Sequence, residues 1–193
     1  TALVALRDNG RVQPGQHVLV NGASGGVGTF AVQIARAFGA EVVGVCSRRN
    51  VDLIRSLGAT EVIDYTSEDF TRHGGRYDVL LDIAGRRTVA ACRRVLASNG
   101  TFVVIGGPAG RWLQPAGHVF ATMAMAPLVG RRAAVANAVA DSGETHNLVE
   151  LTELIQDGKV TPVIDRCYPF DEIRTAIEYQ ETGHASGKVV VAL

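Results

Sequence analysis

Five short runs in this chain are apolar with almost no interruption: Val18-Leu19-Val20, Val42-Val43-Gly44-Val45, Val62-Ile63, Val79-Leu80-Leu81 and Phe102-Val103-Val104-Ile105. A strand with one wet face alternates apolar and polar residues. A strand that does not alternate is covered on both faces, which is the pattern of a parallel sheet between helices. The spacing predicts strands at 17–20, 41–45, 61–64, 77–82 and 101–105. Helices are predicted at 29–38, 51–57 and 88–96, with Gly39 and Gly58 as C-terminal stops. Right-handed crossovers then give a doubly wound α/β sheet in the order 3-2-1-4-5, extended by a sixth strand at 131–139.

Composition agrees with this pattern and removes other classes. The chain has 193 residues, 47% of them apolar, which is too much for a disordered segment. Glycine is abundant, at 22 residues, and aromatics are scarce, at 6%, which suits close packing of small-residue helices on a sheet. Nineteen basic residues balance nineteen acidic ones, so no surplus exists to neutralise nucleic-acid phosphates. The longest mostly apolar stretch, Val119 to Val129, contains Pro127 and falls well short of the ~20 residues that a membrane span needs. Cys46, Cys92 and Cys167 are far apart and form no C-x-x-C pair, so a reducing, cytoplasmic setting is expected. The five histidines are scattered, and no metal site is expected.

The last quarter reads differently. A helix is predicted at 147–157 and stopped by Gly158. A short strand (162–164), a helix (171–181, with Asp171 at its N-cap) and a final strand (188–192) follow. This divides the chain into a domain of residues 1–158 and a short C-terminal strand-helix-strand tail of residues 159–193.

Between the first strand and first helix lies Asn21-Gly22-Ala23-Ser24-Gly25-Gly26-Val27-Gly28. A glycine-rich turn in that context is a dinucleotide-binding fingerprint and marks a Rossmann-type domain. Gly25 takes the place that must lack a side chain so that backbone approaches a pyrophosphate, and Gly28 lets helix pack on strand. The amides of Gly25, Gly26 and Val27 are expected to face the phosphates from a helix N-terminus, with Ser24 adding a hydroxyl. At the second strand's tip the chain reads Cys46-Ser47-Arg48-Arg49-Asn50, with no carboxylate before Asp52. A carboxylate there would hold the ribose of NADH and repel a 2′-phosphate. Ser47 and Arg48 instead suit a 2′-phosphate, so NADPH is the expected cofactor.

Gly22 to Gly28, Ser56-Leu57-Gly58-Ala59, Val62-Ile63-Asp64-Tyr65, Asn99-Gly100-Thr101 and Gly187-Lys188-Val189-Val190 together resemble the medium-chain dehydrogenase/reductase superfamily. The chain is most similar to its zinc-independent quinone oxidoreductase branch. The resemblance implies an NADPH-dependent oxidoreductase that passes a hydride to a quinone or α,β-unsaturated carbonyl. It implies cofactor contacts at Ser24 to Gly28, Ser47 and Arg48, at Tyr65 beside the adenosine phosphate, and at Ala84 and Gly85 beside the adenine ribose. It further implies Ile105 and Gly106 near the nicotinamide and Lys188 returning toward the cofactor cleft. No catalytic residue is implied, because hydride transfer in this branch needs little side-chain acid–base help.

Members of that superfamily carry an N-terminal GroES-like catalytic domain. This chain begins Thr1-Ala2-Leu3-Val4 and has no such region, so it is expected to be the cofactor-binding portion of a longer, homodimeric protein. The tail is expected to pack on that absent domain. Two other readings stay open: the enoyl-reductase module of a fatty-acid or polyketide synthase, and a non-catalytic dinucleotide-sensing module. A short-chain dehydrogenase would need a Tyr followed four residues later by Lys. The residues at that spacing are Asp69, Leu81, Glu172 and Gly183.

Overall fold

A computed structural model describes residues 1–105, 132–135 and 145–193. Strands β1 (His17–Asn21), β2 (Glu41–Cys46), β3 (Glu61–Asp64), β4 (Tyr77–Asp82), β5 (Leu96–Val104) and β6 (Arg132–Val135) form one sheet in the order β3-β2-β1-β4-β5-β6. All of its pairings are parallel. This is the doubly wound order expected from the uninterrupted apolar runs. The sixth strand occupies residues 132–135 of the predicted 131–139. Residue 131 and residues 136–139 lie outside the described residues, as do Gly106 and the Val119–Val129 stretch.

Alternate residues of the central strands feed two separate cores. Val18 and Val20 of β1, Val42 of β2, and Val79 and Leu81 of β4 belong to one. Leu19, Val43, Val45 and Leu80 belong to the other. A fully buried Val or Leu contributes roughly 1.5–3 kcal/mol relative to exposure, so both faces must be covered for these runs to be stable. Helices α1 (Ala2–Val4), which continues as a π-helical segment Ala5–Asn9, and α2 (Gly28–Ala37) cover the first face together with α3 (Val51–Ser56). Cys92 of α4 (Val89–Arg94) and Phe70 lie on the second.

Three boundaries differ from the sequence pattern. Residues 2–9 are helical, and Ala5 and Leu6 are fully buried. The predicted helix at 88–96 ends at Arg94, because Val95 already gives its carbonyl to the Tyr77 amide at 2.9 Å. Leu96 then opens β5, whose register against β4 shifts between Tyr77 and Val79. That shift absorbs the Asn99-Gly100 turn signal inside a strand.

Helix α5 (Thr145–Gln156) closes the part before residue 159, and the tail comprises β7 (Ile164–Pro169), α6 (Ile173–Glu181) and β8 (Lys188–Ala192). Strands β7 and β8 pair in parallel as a separate two-stranded sheet. Strand β7 begins at Ile164 rather than Pro162, since Pro162 has no N–H to give a ladder. Asp171 does not cap a helix: Phe170–Glu172 is a 3₁₀ turn, and Ile173 starts the α-helix. Leu151 and Leu154 of α5 pack on the first core, and Val160 is buried in it. Leu148 and Val149 of α5, with Ile164, Phe170, Ile173 and Ile177 beyond it, are exposed.

Gly44 shows how tightly the first face closes. A Cβ at Gly44 would lie 2.5 Å from Ile54 Cγ2 and 3.3 Å from Ala23 Cβ. Gly44→Ala is therefore expected to lower stability by about 1–3 kcal/mol through overpacking. Urea unfolding should show a lower midpoint with an unchanged slope.

Candidate functional site

Strand β1 lies between β2 and β4, and the chain winds outward from it in both directions. At such a switch point α/β sheets bind ligands in the crevice outside the carboxyl ends of the strands, which here is bordered by the loops after β1 and β4. The sequence-predicted site residues gather at this one edge. Ser24 to Gly28 follow β1, Ser47 and Arg48 follow β2, Tyr65 follows β3, Ala84 and Gly85 follow β4, and Ile105 follows β5. Gly106 lies outside the described residues.

Each loop is anchored to its neighbour by main-chain hydrogen bonds. The amides of Gly22 and Ala23 donate to the Val45 carbonyl at 3.1 and 3.0 Å. Tyr65 N–H donates to the Cys46 carbonyl at 3.0 Å, Ile83 N–H to the Asn21 carbonyl at 3.0 Å, and Ile105 N–H to the Asp82 carbonyl at 3.0 Å. A side-chain lock reinforces them. Asp82 is fully buried, and its Oδ1 accepts from Asn21 Nδ2 at 2.8 Å and from the Gly85 amide at 2.9 Å. The sequence motifs assigned no role to Asn21, which heads the glycine-rich segment, or to Asp82. Their signal was present, as the polar residues that end two apolar strands.

The glycine-rich loop fits a dinucleotide pyrophosphate. A Cβ at Gly28 would sit 2.1 Å from the Gly22 carbonyl oxygen, so only glycine lets α2 start this close to β1. Among the described residues, the one neighbour that a Cβ at Gly25 would meet within 4 Å is the Gly22 oxygen, at 3.6 Å, which leaves open space in front of the backbone. One expectation is corrected. The Gly25 amide does not face outward but donates to the Gly22 carbonyl at 3.3 Å and closes the turn. Thr29 N–H donates to the Gly25 carbonyl at 3.0 Å. Val27 is the N-cap of α2 and Gly28 its first residue, so neither amide has a helical carbonyl four residues upstream.

Lys188 reaches this loop from the other end of the chain. Gly25 forms a parallel bridge with Gly187, and a Cβ at Gly26 would lie 3.1 Å from Lys188 Cδ. The Lys188 ammonium stands 5.8 Å from the centre of the Phe30 ring, in the first turn of α2.

The tip of β2 carries the features expected for discrimination at the ribose. Ser47 precedes a 3₁₀ turn, Arg48–Asn50, whose first two arginines are exposed. Asp52 points to solvent, with its nearest cation, Arg55, 3.7 Å away. The carboxylate closest to this tip along the sheet is Asp64, paired with Cys46 in the register of β2 and β3. Asp64 Oδ1 is occupied by its own turn, accepting from the Thr66 hydroxyl at 2.7 Å and the Thr66 amide at 2.9 Å. Those bonds, with Arg48 nearby, hold the Asp64 carboxyl below the usual range. Tyr65 beside it is half exposed.

Among the described residues, no group of three or more His, Cys, Asp or Glu side chains is arranged to hold a metal ion. Within the same residues, no helix is long and apolar enough to cross a membrane.

Sheet order, switch-point loop and strand-end residues together define a Rossmann-type dinucleotide-binding domain. The family model described as zinc-binding dehydrogenase matches residues 57–191. The chain belongs to that family and, through it, to the quinone oxidoreductase-like side of the medium-chain dehydrogenase/reductase superfamily. It is 40% identical, over 92% of its length, to a mitochondrial NAD(P)H oxidoreductase of Mus musculus, of which it covers 48%. It is 33% identical, over 92% of its length, to a chloroplastic quinone oxidoreductase of Triphysaria versicolor, of which it covers 53%. All of it superposes on 57% of the quinone oxidoreductase from Coxiella burnetii, with a TM-score of 0.83 and 31% identity. The CurK enoyl reductase follows closely, with a TM-score of 0.82 and 27% identity over 99% of this chain and 58% of that one. The chain thus spans about half the length of the curated relatives it matches.

The cysteines near this edge are chemically quiet. Burial, with Asp64 adding repulsion, pushes the Cys46 thiol up to about 11. Burial, with Asp82 adding to it, pushes Cys92 up to about 12. Cys167 on β7 is exposed. A thiol reagent at mildly alkaline pH is therefore expected to modify Cys167 alone in the folded protein and all three cysteines after denaturation, as counted by mass spectrometry.

Proposed function

We propose that this chain is the cofactor-binding portion of an NADPH-dependent oxidoreductase that passes a hydride to a quinone or an α,β-unsaturated carbonyl. The observation that carries the reading is the open, glycine-lined backbone at the switch point, flanked by Ser47 and Arg48 where an NADH-binding domain would place a carboxylate. When bound, the dinucleotide supplies the hydride. The chain's residues bind and orient it. Gly26, Val27 and Gly28 present amides to the pyrophosphate, Ser24 and Lys188 flank it, and Ser47 and Arg48 take the 2′-phosphate. Tyr65, Ala84 and Gly85 border the adenosine. Ile105, with Gly106 beyond it, leads toward the nicotinamide end. No side chain of this edge is assigned to acid–base chemistry.

The substrate class is supported by relatives named as quinone oxidoreductases and as an NADPH-dependent alkenal/one oxidoreductase. The likeness to the CurK enoyl reductase favours a second reading, an enoyl-reductase module. The exposed apolar residues Phe170, Ile173 and Ile177 suit a tail that packs on a preceding GroES-like domain. A homodimer and a cytoplasmic setting, the latter on the ground of three free cysteines, belong to the same proposal.

The test is cofactor binding and turnover by the intact protein. NADPH should bind more tightly than NADH. Arg48→Ala should weaken NADPH roughly tenfold to a hundredfold, the scale of a charge-assisted hydrogen bond, and leave NADH unchanged. Equal affinities in the unmodified protein would sink the NADPH assignment. Oxidation of NADPH by benzoquinone or an enal supports the first reading. Turnover of a thioester enoyl substrate alone supports the second, and stoichiometric binding without turnover would remove both.

A further inference from the structure

The segment His184–Lys188, between α6 and β8, touches both halves of the proposed dinucleotide site. On one side it meets the phosphate loop through the Gly25–Gly187 bridge and the Lys188 stem at Gly26. On the other it holds the turn that follows Ser47. Ser186 Oγ donates to Asn50 Oδ1 at 2.9 Å, and the Arg49 guanidinium donates to the His184 carbonyl. Asn50 is buried, and its amide donates to the Ser47 carbonyl at 2.9 Å. Arg48 therefore directly precedes two residues, Arg49 and Asn50, that the tail holds.

The segment is itself braced from behind. Asp165 Oδ2 accepts from the Ser186 amide at 3.0 Å and from the Tyr179 hydroxyl at 2.6 Å. Lys188 N–H donates to the Val163 carbonyl at 2.8 Å. Gly187 is packed so closely that a Cβ would fall 2.5 Å from that same carbonyl oxygen. Arg166 stacks on the Tyr179 ring with 4.0 Å between guanidinium and ring centre. Burial opposes the charge on Asp165, but the Tyr179 and Ser186 bonds and the nearby Arg166 and Arg49 outweigh it and hold its carboxyl below the usual range.

We propose that Ser186 and Asp165 are specificity-positioning residues: through Asn50 and Arg49 they fix the turn that carries Arg48, and so they set the preference for a 2′-phosphorylated dinucleotide. The inference rests on the reading of Arg48 given above. It adds a second layer of residues that touch no cofactor atom and lie in the tail, more than a hundred residues away along the chain.

The test measures dissociation constants of NADPH, NADH and ADP-ribose by calorimetry on the intact protein. It compares the unmodified protein with Ser186→Ala, Ser186→Thr, Asp165→Asn and Arg48→Ala, and follows hydrogen exchange at residues 47–51. Ser186→Ala and Asp165→Asn should weaken NADPH about threefold to tenfold, the scale of one hydrogen bond, and leave NADH and ADP-ribose within error. Exchange at 47–51 should quicken in both, and Ser186→Thr, which keeps the hydroxyl, should restore the NADPH constant. Arg48→Ala should lose the NADPH preference without quickening that exchange. Equal loss for all three ligands would make the segment a general brace and overturn the proposal. An unchanged NADPH constant in both tail variants would overturn it as well. Absence of an NADPH preference in the unmodified protein would refute the Arg48 reading and this inference together. Loss confined to the tail variants' preference is the outcome that supports it.

Discussion

The approach of α2 to β1 at Gly28 is the constraint on which the rest of the site depends. A side chain there would overlap the Gly22 carbonyl at 2.1 Å, so the helix begins where it does only because that position is bare. That contact sets the height of α2 above the sheet. Helix height in turn sets where Val27 and Gly28 present their amides, and how much open space stands before Gly25. Gly44 on β2 is bare for a different contact: a Cβ there would fall 2.5 Å from Ile54 Cγ2 of α3, with Ala23 Cβ 3.3 Å away.

The buried Asp82 links the two loops that open the crevice. Asn21 belongs to the β1 side, Gly85 to the β4 side, and both give hydrogen bonds to the same carboxylate oxygen. A carboxylate removed from water is costly unless its oxygens are satisfied. Oδ1 of Asp82 has two donors, and both are in place only when the two strand ends are in register. The polar lock therefore selects one arrangement of the crevice rather than merely adding stability.

Much of this architecture was legible in the chain. The apolar runs foretold a sheet covered on both faces, and the order β3-β2-β1-β4-β5-β6 followed from crossover handedness. The phosphate loop was legible because its glycines answer to local geometry. What stayed hidden was non-local. Nothing in Asn50 or Ser186 alone announces that their side chains meet, and the Gly25–Gly187 bridge joins segments that no periodicity connects. The outward orientation foreseen for the Gly25 amide failed because a turn can use its own amide to close. The strand foreseen at Pro162–Ile164 shifted forward to Ile164–Pro169, since Pro162 has no N–H for a ladder, and pairing with β8 begins where Val163 accepts from the Lys188 amide. The start of β5 at Leu96 was masked by Asn99-Gly100, a turn signal that the sheet accommodates as a change of register.

The Gly25–Gly187 bridge has a temporal meaning as well as a spatial one. The residues that complete the phosphate loop are translated after all six strands of the main sheet. A nascent chain can therefore collapse its two cores while its ligand edge still lacks one wall. Such long-range closure is slow relative to local helix formation, because a large loop must be ordered before the contact repays it. The domain would thus mature in sequence, first as a hydrophobic body and only afterwards as a receptor.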